Sequence, residues 1–269
     1  MIKISEYANI SEYVLPGTFG DKEVRVSSSF PKSPIGVNVV LLHGVHSSAN
    51  MGQHNKFHFL AETLSGMGFT PWLIETSRKI RNRQDFPNDV SRWIREAFSG
   101  KTFAQEQKDV FNAICGIKSE AAGRPIWIWG FSLGGIIALS AAADMINCSD
   151  KGSCPYFEKV ILSGTGLVAY KDVEERMMSL PILSTLRSEL PLDMLSHVRT
   201  EGLMSFRGSC DDIFSEESCL GVLSEISIPK RDKYFFTIEG ADHSFRSRNG
   251  KADPKIMKEM VDHITETWI

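Results

Sequence analysis

The chain has 269 residues, 42% hydrophobic and 23% charged, with a formal net charge of −3. That length holds one large α/β domain or two small ones and the composition is ordinary for a soluble globular protein, while the charge gives no bulk attraction for nucleic acid. No apolar run approaches the roughly 18 residues of a membrane-spanning helix and the N-terminus lacks a signal-peptide core, so a cytoplasmic location without an integral membrane segment is expected.

Residues 1–36 hold polar turns and two expected edge strands, around Tyr13–Leu15 and Val24–Ser29. Val37–Leu42 is a β-branched strand stopping at His43-Gly44, Phe57–Met67 has the apolar spacing of a helix, and Pro71–Ile74 is a short buried strand. Val90–Phe98 and Thr102–Lys118 read as helices. Ile126–Trp129 is an apolar, β-branched and aromatic strand, and an Ala-rich helix is expected from Ile136 to Asn147. Further strands are expected at Lys159–Ser163, Gly202–Arg207 and Tyr234–Ile238, with a closing helix from Pro254 to Trp268. Strands alternating with helices imply crossover connections, a mostly parallel sheet covered on both faces, and a ligand site beyond the C-terminal strand ends. No repeat or linker divides the chain, so a single domain over 1–269 is expected. Residues 167–200 are too long for a plain crossover, and a helical lid is expected there; a decorated connecting helix is the alternative.

Between the Ile126 strand and its helix lies Gly130-Phe131-Ser132-Leu133-Gly134, a G-x-S-x-G followed by Gly135. Strand, motif and helix in that order put the serine on a sharp, strained turn that lifts its hydroxyl clear of the backbone. A serine hydroxyl is a poor nucleophile at neutral pH and needs a base, itself oriented by an acid. In this arrangement the chain order is Ser, then Asp or Glu, then His. After the Gly202 strand comes Gly208-Ser209-Cys210-Asp211-Asp212-Ile213, and after the Tyr234 strand comes Gly240-Ala241-Asp242-His243-Ser244-Phe245.

With His43-Gly44-Val45, these segments resemble the serine hydrolases of the α/β-hydrolase fold, over most of the chain from Val37 onward. The branch is that of acyl esterases and dienelactone hydrolases, which also holds feruloyl esterases and prolyl-oligopeptidase-type peptidases. The resemblance implies Ser132 as nucleophile, His243 as general base and acid, and Asp211 as the acid, with Asp212 its rival. It places the oxyanion-hole N–H groups on Leu133 and Val45, with His46 the alternative to Val45, and gives His43 a propping role. Asp242 is expected to bond local backbone.

The expected substrate is a small-molecule or lipid acyl ester or thioester; an amide substrate and a non-enzymatic binding role are the alternatives. Arg78, Lys79, Arg81 and Arg83 follow the Pro71 strand, and Arg246, Arg248 and Lys251 follow His243. Either they form a solvated basic surface, or Arg78, Arg81 and Arg246 bind an anionic part of the substrate. The histidines fit no zincin spacing, since His54 and His58 lack the glutamate of H-E-x-x-H, so no metal is expected. No nucleotide-binding glycine loop occurs, so no cofactor is expected. Five cysteines, an odd number without C-x-x-C spacing, read as thiols in a reducing compartment; Cys148/Cys154 and Cys210/Cys219 are the bridges an oxidising one would allow.

Overall fold

A computed structural model of the chain describes residues 1–269 except 8, 46, 83–85, 87–88, 146–153, 171, 173–180 and 192, with the backbone alone at 90, 91, 187 and 189. The strands are β1 (Ile2–Tyr7), β2 (Ile10–Pro16), β3 (Glu23–Ser29), β4 (Asn38–Leu42), β5 (Thr70–Glu75), β6 (Ile126–Phe131), β7 (Lys159–Ser163), β8 (Gly202–Cys210) and β9 (Lys233–Asp242). They form one sheet in the order β1-β2-β3-β5-β4-β6-β7-β8-β9. Pairing is antiparallel from β1 through β3 to β5 and parallel from β5 to β9. The helices are α1 (Lys56–Gly66), α2 (Val90–Phe98), α3 (Phe103–Ala121), α4 (Leu133–Ala142), α5 (Pro181–Ser184), α6 (Leu186–Glu189), α7 (Glu216–Glu225) and α8 (Pro254–Trp268). No described helix is long and apolar enough to cross a membrane.

The central strands β4 and β6 are buried at every position because both faces are covered. In β4, Val40 and Leu42 face the core under α3, α4 and α7, while Val39 and Leu41 face the core under α1 and α8. In β6, Ile126 and Ile128 take the first side; Trp127, Trp129 and Phe131 take the second. The period-two alternation of the pleat thus divides one apolar run between two cores. The indoles carry donors that burial would orphan, and β-sheet neighbours accept two of them: Trp72 donates to Asn38 Oδ1 at 2.9 Å and Trp129 to Ser163 Oγ at 2.8 Å.

Capping residues set several helix starts. Asp89 Oδ1 accepts the Arg92 N–H at 2.8 Å, Asp253 accepts from Lys255 with Pro254 at the first helical position, and Thr102 with Gln105 closes a capping box on α3. The two edge strands expected in residues 1–36 are β2 and β3, and β1 adds a further strand whose six residues are all exposed. Helix α4 begins at Leu133, three residues before the expected Ile136, and ends at Ala142, short of the expected Asn147, since Ala143, Asp144 and Met145 are not helical; 146–147 lie outside the described residues.

Of the expected lid over 167–200, residues 173–180 lie outside the described residues. In the described remainder, Ile182, Leu183 and Met194 are buried in the core shared with α3 and α4, whereas Leu167, Val168 and Tyr170 are exposed. The Phe103 N–H donates to Thr185 Oγ1 at 2.9 Å and the Arg199 N–H to Ala142 O at 3.1 Å.

Candidate active site

The site stands at the C-terminal ends of β4, β6, β7, β8 and β9. Ser132 links β6 to α4 with φ 53° and ψ −117°, a backbone region that L-residues other than glycine rarely enter. The surrounding glycines make that turn possible. A Cβ on Gly130 would lie 2.1 Å from Gly134 O, one on Gly134 2.6 Å from His43 O, and one on Gly135 2.0 Å from Thr165 Oγ1. Gly44 is less severely pressed: its Cβ would meet Phe131 O and Ser132 Cβ at 3.1 Å. The turn is tied to its neighbours where Ser132 N–H donates to Ser163 O at 2.8 Å and Thr165 Oγ1 donates to Ser132 O at 3.2 Å.

His243 Nε2 lies 3.0 Å from Ser132 Oγ, and its Nδ1 lies 3.0 and 3.1 Å from the two oxygens of Asp211. Burial pushes the Asp211 carboxyl upward, but the His243 hydrogen bond and charge, with the Phe214 and Ile213 N–H groups, hold it below the usual carboxylate range. Those two N–H groups donate to Oδ1 at 3.0 and 2.8 Å. A carboxylate only accepts, so Nδ1 carries the imidazole proton and the bare Nε2 faces the serine hydroxyl. Asp212, the rival acid, is exposed and turned away. The rings of Phe214 and His243 are 5.6 Å apart, and a Cβ on Gly164 would lie 3.1 Å from His243 Cε1, so the imidazole is confined from two sides. Asp242 Oδ1 accepts the Arg246 N–H at 2.8 Å, closing the turn that bears the histidine.

His43 is buried, and desolvation, with the Arg78 charge, lowers its pKa against the pull of Glu106, so it is held neutral. Its Nδ1 donates to Gly44 O at 2.8 Å, while Nε2 accepts from the Thr76 N–H at 3.4 Å. Because a trans peptide points its C=O and N–H in opposite directions, this bond turns the Val45 N–H away from His43. The Leu133 N–H opens α4 directly after Ser132. His46, the alternative to Val45, lies outside the described residues.

The basic rim is corrected at Arg78 and Arg81. Arg78 is 1% exposed, with Nε donating to Thr76 O at 3.2 Å, Nη1 3.6 Å from Glu75, and its guanidinium 4.9 Å from the Phe98 ring centroid. Arg81 bonds Glu75 Oε2 at 2.9 Å as well as Asp21 and Glu23 O. Both charges face Glu75 and Asp21, and Arg78 is shut away from solvent even though its Nη2 has no hydrogen-bond partner among the described residues. Arg246, by contrast, is exposed three residues after His243, and Arg83 lies outside the described residues.

The other described histidines are dispersed: His58 pairs with Glu62 at 3.5 Å, His197 with Asp193 at 3.1 Å, and His263 stacks on Phe236 at 4.1 Å. Cys210 and Cys219 are free thiols, and Cys148 lies outside the described residues. One residue beside the site escaped the sequence reading. Lys56, at the start of α1, donates to Ser244 O at 2.7 Å. Its only signal was a lysine following the helix-capping Asn55, where the helix dipole disfavours a cation.

No family model matches the chain, and no curated protein matches it. Solved structures do. An α/β serine hydrolase of Xanthomonas campestris, described as lacking a lid, superposes with a TM-score of 0.64 at 14% identity, covering 98% of this chain and 97% of its own. A cold-adapted esterase from an Arctic intertidal metagenomic library gives 0.60 at 18% identity, with 98% and 96% covered. Dienelactone hydrolase of Anabaena variabilis gives 0.56 at 17% identity, with 97% and 98% covered. At such identities the likeness establishes the fold, that of the α/β hydrolases.

Proposed function

We propose that this α/β-hydrolase-fold chain is a serine hydrolase that cleaves a carboxylic ester or thioester through a covalent acyl-enzyme on Ser132. The observation that carries this reading is the continuous line Ser132 Oγ–His243 Nε2–Asp211, with both links at 3.0 Å. His243 Nε2 takes the hydroxyl proton as Ser132 Oγ attacks the carbonyl carbon, and Asp211 stabilises the imidazolium that forms. The tetrahedral oxyanion is received by the backbone N–H groups of Leu133 and Val45. As the C–O or C–S bond breaks, the imidazolium returns its proton to the leaving alcohol or thiol. Water, deprotonated by the same nitrogen, then attacks the acyl-enzyme, releases the acid and restores Ser132.

The similar solved structures include a serine hydrolase, an esterase and a dienelactone hydrolase, which supports an ester as substrate. Exposed Arg246 is the remaining candidate for contact with an anionic part of a small-molecule or lipid ester. The free thiols Cys210 and Cys219 favour a reducing, cytoplasmic location. Replacing Ser132 by Ala is expected to leave the circular-dichroism spectrum and melting temperature intact, while p-nitrophenyl ester turnover and fluorophosphonate labelling disappear. A Ser132→Ala protein that still hydrolyses the ester at a near-normal rate would overturn the assignment.

A further inference from the structure

The turn that bears His243 is held in an unfavourable shape. Phe245 sits at φ +54° without being a glycine, fully buried, with its ring 5.7 Å from that of Phe131 in an edge-on contact. A turn bent this way depends on ties from outside itself. Lys56 supplies one from the opposite side of the site. Its Nζ donates to the carbonyl of Ser244, the residue after His243, at 2.7 Å. The same ammonium stands 4.1 Å from the ring centroid of Phe131, the residue before Ser132, and 5.3 Å from that of Phe57. One cation therefore touches both the nucleophile's strand end and the base's turn.

Stability does not account for a lysine here. It occupies the first position of α1, at the positive end of the helix dipole, and its ammonium makes no ion pair among the described residues. Burial, reinforced by the Arg246 charge and opposed by Asp242, pushes its pKa down to about 7. A group that is costly to place and yet bridges two catalytic turns points to a task other than holding the fold together.

We propose that Lys56 is a positioning residue for the hydrolysis described above, on which this inference rests: through Ser244 O and the Phe131 ring it fixes the distance between His243 Nε2 and Ser132 Oγ. Loss of that tie lets the imidazole drift from the hydroxyl, which slows proton transfer without touching the substrate. Displacements of this size are expressed in kcat, not in binding.

The test compares wild type, Lys56→Met, Lys56→Arg and Ser132→Ala on a neutral p-nitrophenyl ester, with melting temperatures alongside. Methionine keeps the length and apolar stem but loses the donor and the charge; arginine keeps both. Lys56→Met is expected to lower kcat by about tenfold or more with KM within about twofold. Its melting temperature is expected to equal or exceed wild type, and Lys56→Arg to recover most of kcat. Three outcomes would overturn the proposal: wild-type kcat in Lys56→Met, a kcat loss that tracks a fall in melting temperature, or no recovery in Lys56→Arg. A wild-type protein without Ser132-dependent turnover would remove the hydrolase reading itself, and this inference with it.

Discussion

Asp211 and Asp212 are adjacent carboxylates with opposite surroundings, and the difference is made by two backbone donors. Asp211 turns inward, where the N–H groups of Ile213 and Phe214 and the His243 imidazole all point at it, while Asp212 meets solvent. Asparagine at 211 keeps the shape but can donate to Nδ1, leaving the imidazole in the tautomer that cannot accept the serine proton. Asp211→Asn is therefore expected to lower kcat on the order of 10³- to 10⁴-fold, whereas Asp212→Asn stays within about twofold of wild type. Steady-state kinetics of the two variants on one ester decide it; equal losses would overturn the assignment of roles. The family resemblance favoured Asp211 but left the pair open, because which of two neighbours turns inward depends on a loop closed around it.

Among the elements, α3 and β5 are joined by charges that never reach water. Lys101 Nζ lies 3.0 Å from Asp109 Oδ2, also contacts Glu106, and donates to Ser77 O at 2.7 Å. Asp109 accepts in turn from the Ser77 N–H at 2.9 Å and from Thr18 Oγ1 at 2.8 Å, tying the β2–β3 connection into the same knot. Removing Lys101 strands Glu106 and Asp109 together in the interior, so Lys101→Met is expected to destabilise the fold by about 3–5 kcal/mol, read as a lower urea midpoint at unchanged slope. This knot and the burial of Arg78 and Arg81 were illegible in the sequence for one reason. Their partners are far away along the chain, and a run such as Arg78-Lys79-Ile80-Arg81 looks like a solvated face until Asp21 arrives from 60 residues earlier. The bounds of α2 and α8, by contrast, match the sequence reading, and Asp89, Asp253 and Pro254 are the local punctuation that sets their starts. Helix α7 went unread: Gly221 interrupts its short run and its apolar positions are few.

At the scale of the whole molecule the shifted groups act together on pH stability. Glu75 and Glu106 are burdened by burial, yet Arg78 and Arg81 on the first, and Lys101 with the Thr76 hydroxyl on the second, hold them below the ordinary glutamate range; Asp211 is held low by His243. The unfolded chain regains ordinary carboxyl pKa values and so binds more protons than the native one just below them; stability falls as pH drops through that window. Lys56 has the same sign in another range. Native Lys56 gives up its proton near pH 7 and the unfolded lysine near 10.5, so its burial penalty is full below 7 and fades as pH rises between the two. Urea midpoints measured from pH 4 to 10 are expected to rise in both ranges, and the neutral-to-alkaline rise is expected to be missing in Lys56→Met. The mostly parallel sheet covered on both faces was visible in advance because it follows from strand–helix alternation, whereas the order of its strands was not. The electrostatic balance was not, since it depends on which charges lose their water.

The left-handed backbone at Ser132 bears on how this chain can change over generations. A non-glycine residue at φ 53° and ψ −117° carries a cost of order 1–3 kcal/mol that glycine would not. Any lineage or laboratory library selected for heat tolerance alone is thus drawn toward glycine at 132, the one exchange there that relaxes the backbone and removes the hydroxyl in a single step. Robustness and turnover compete for the same peptide unit, and the persistence of serine at that position in a population would itself record selection for chemistry.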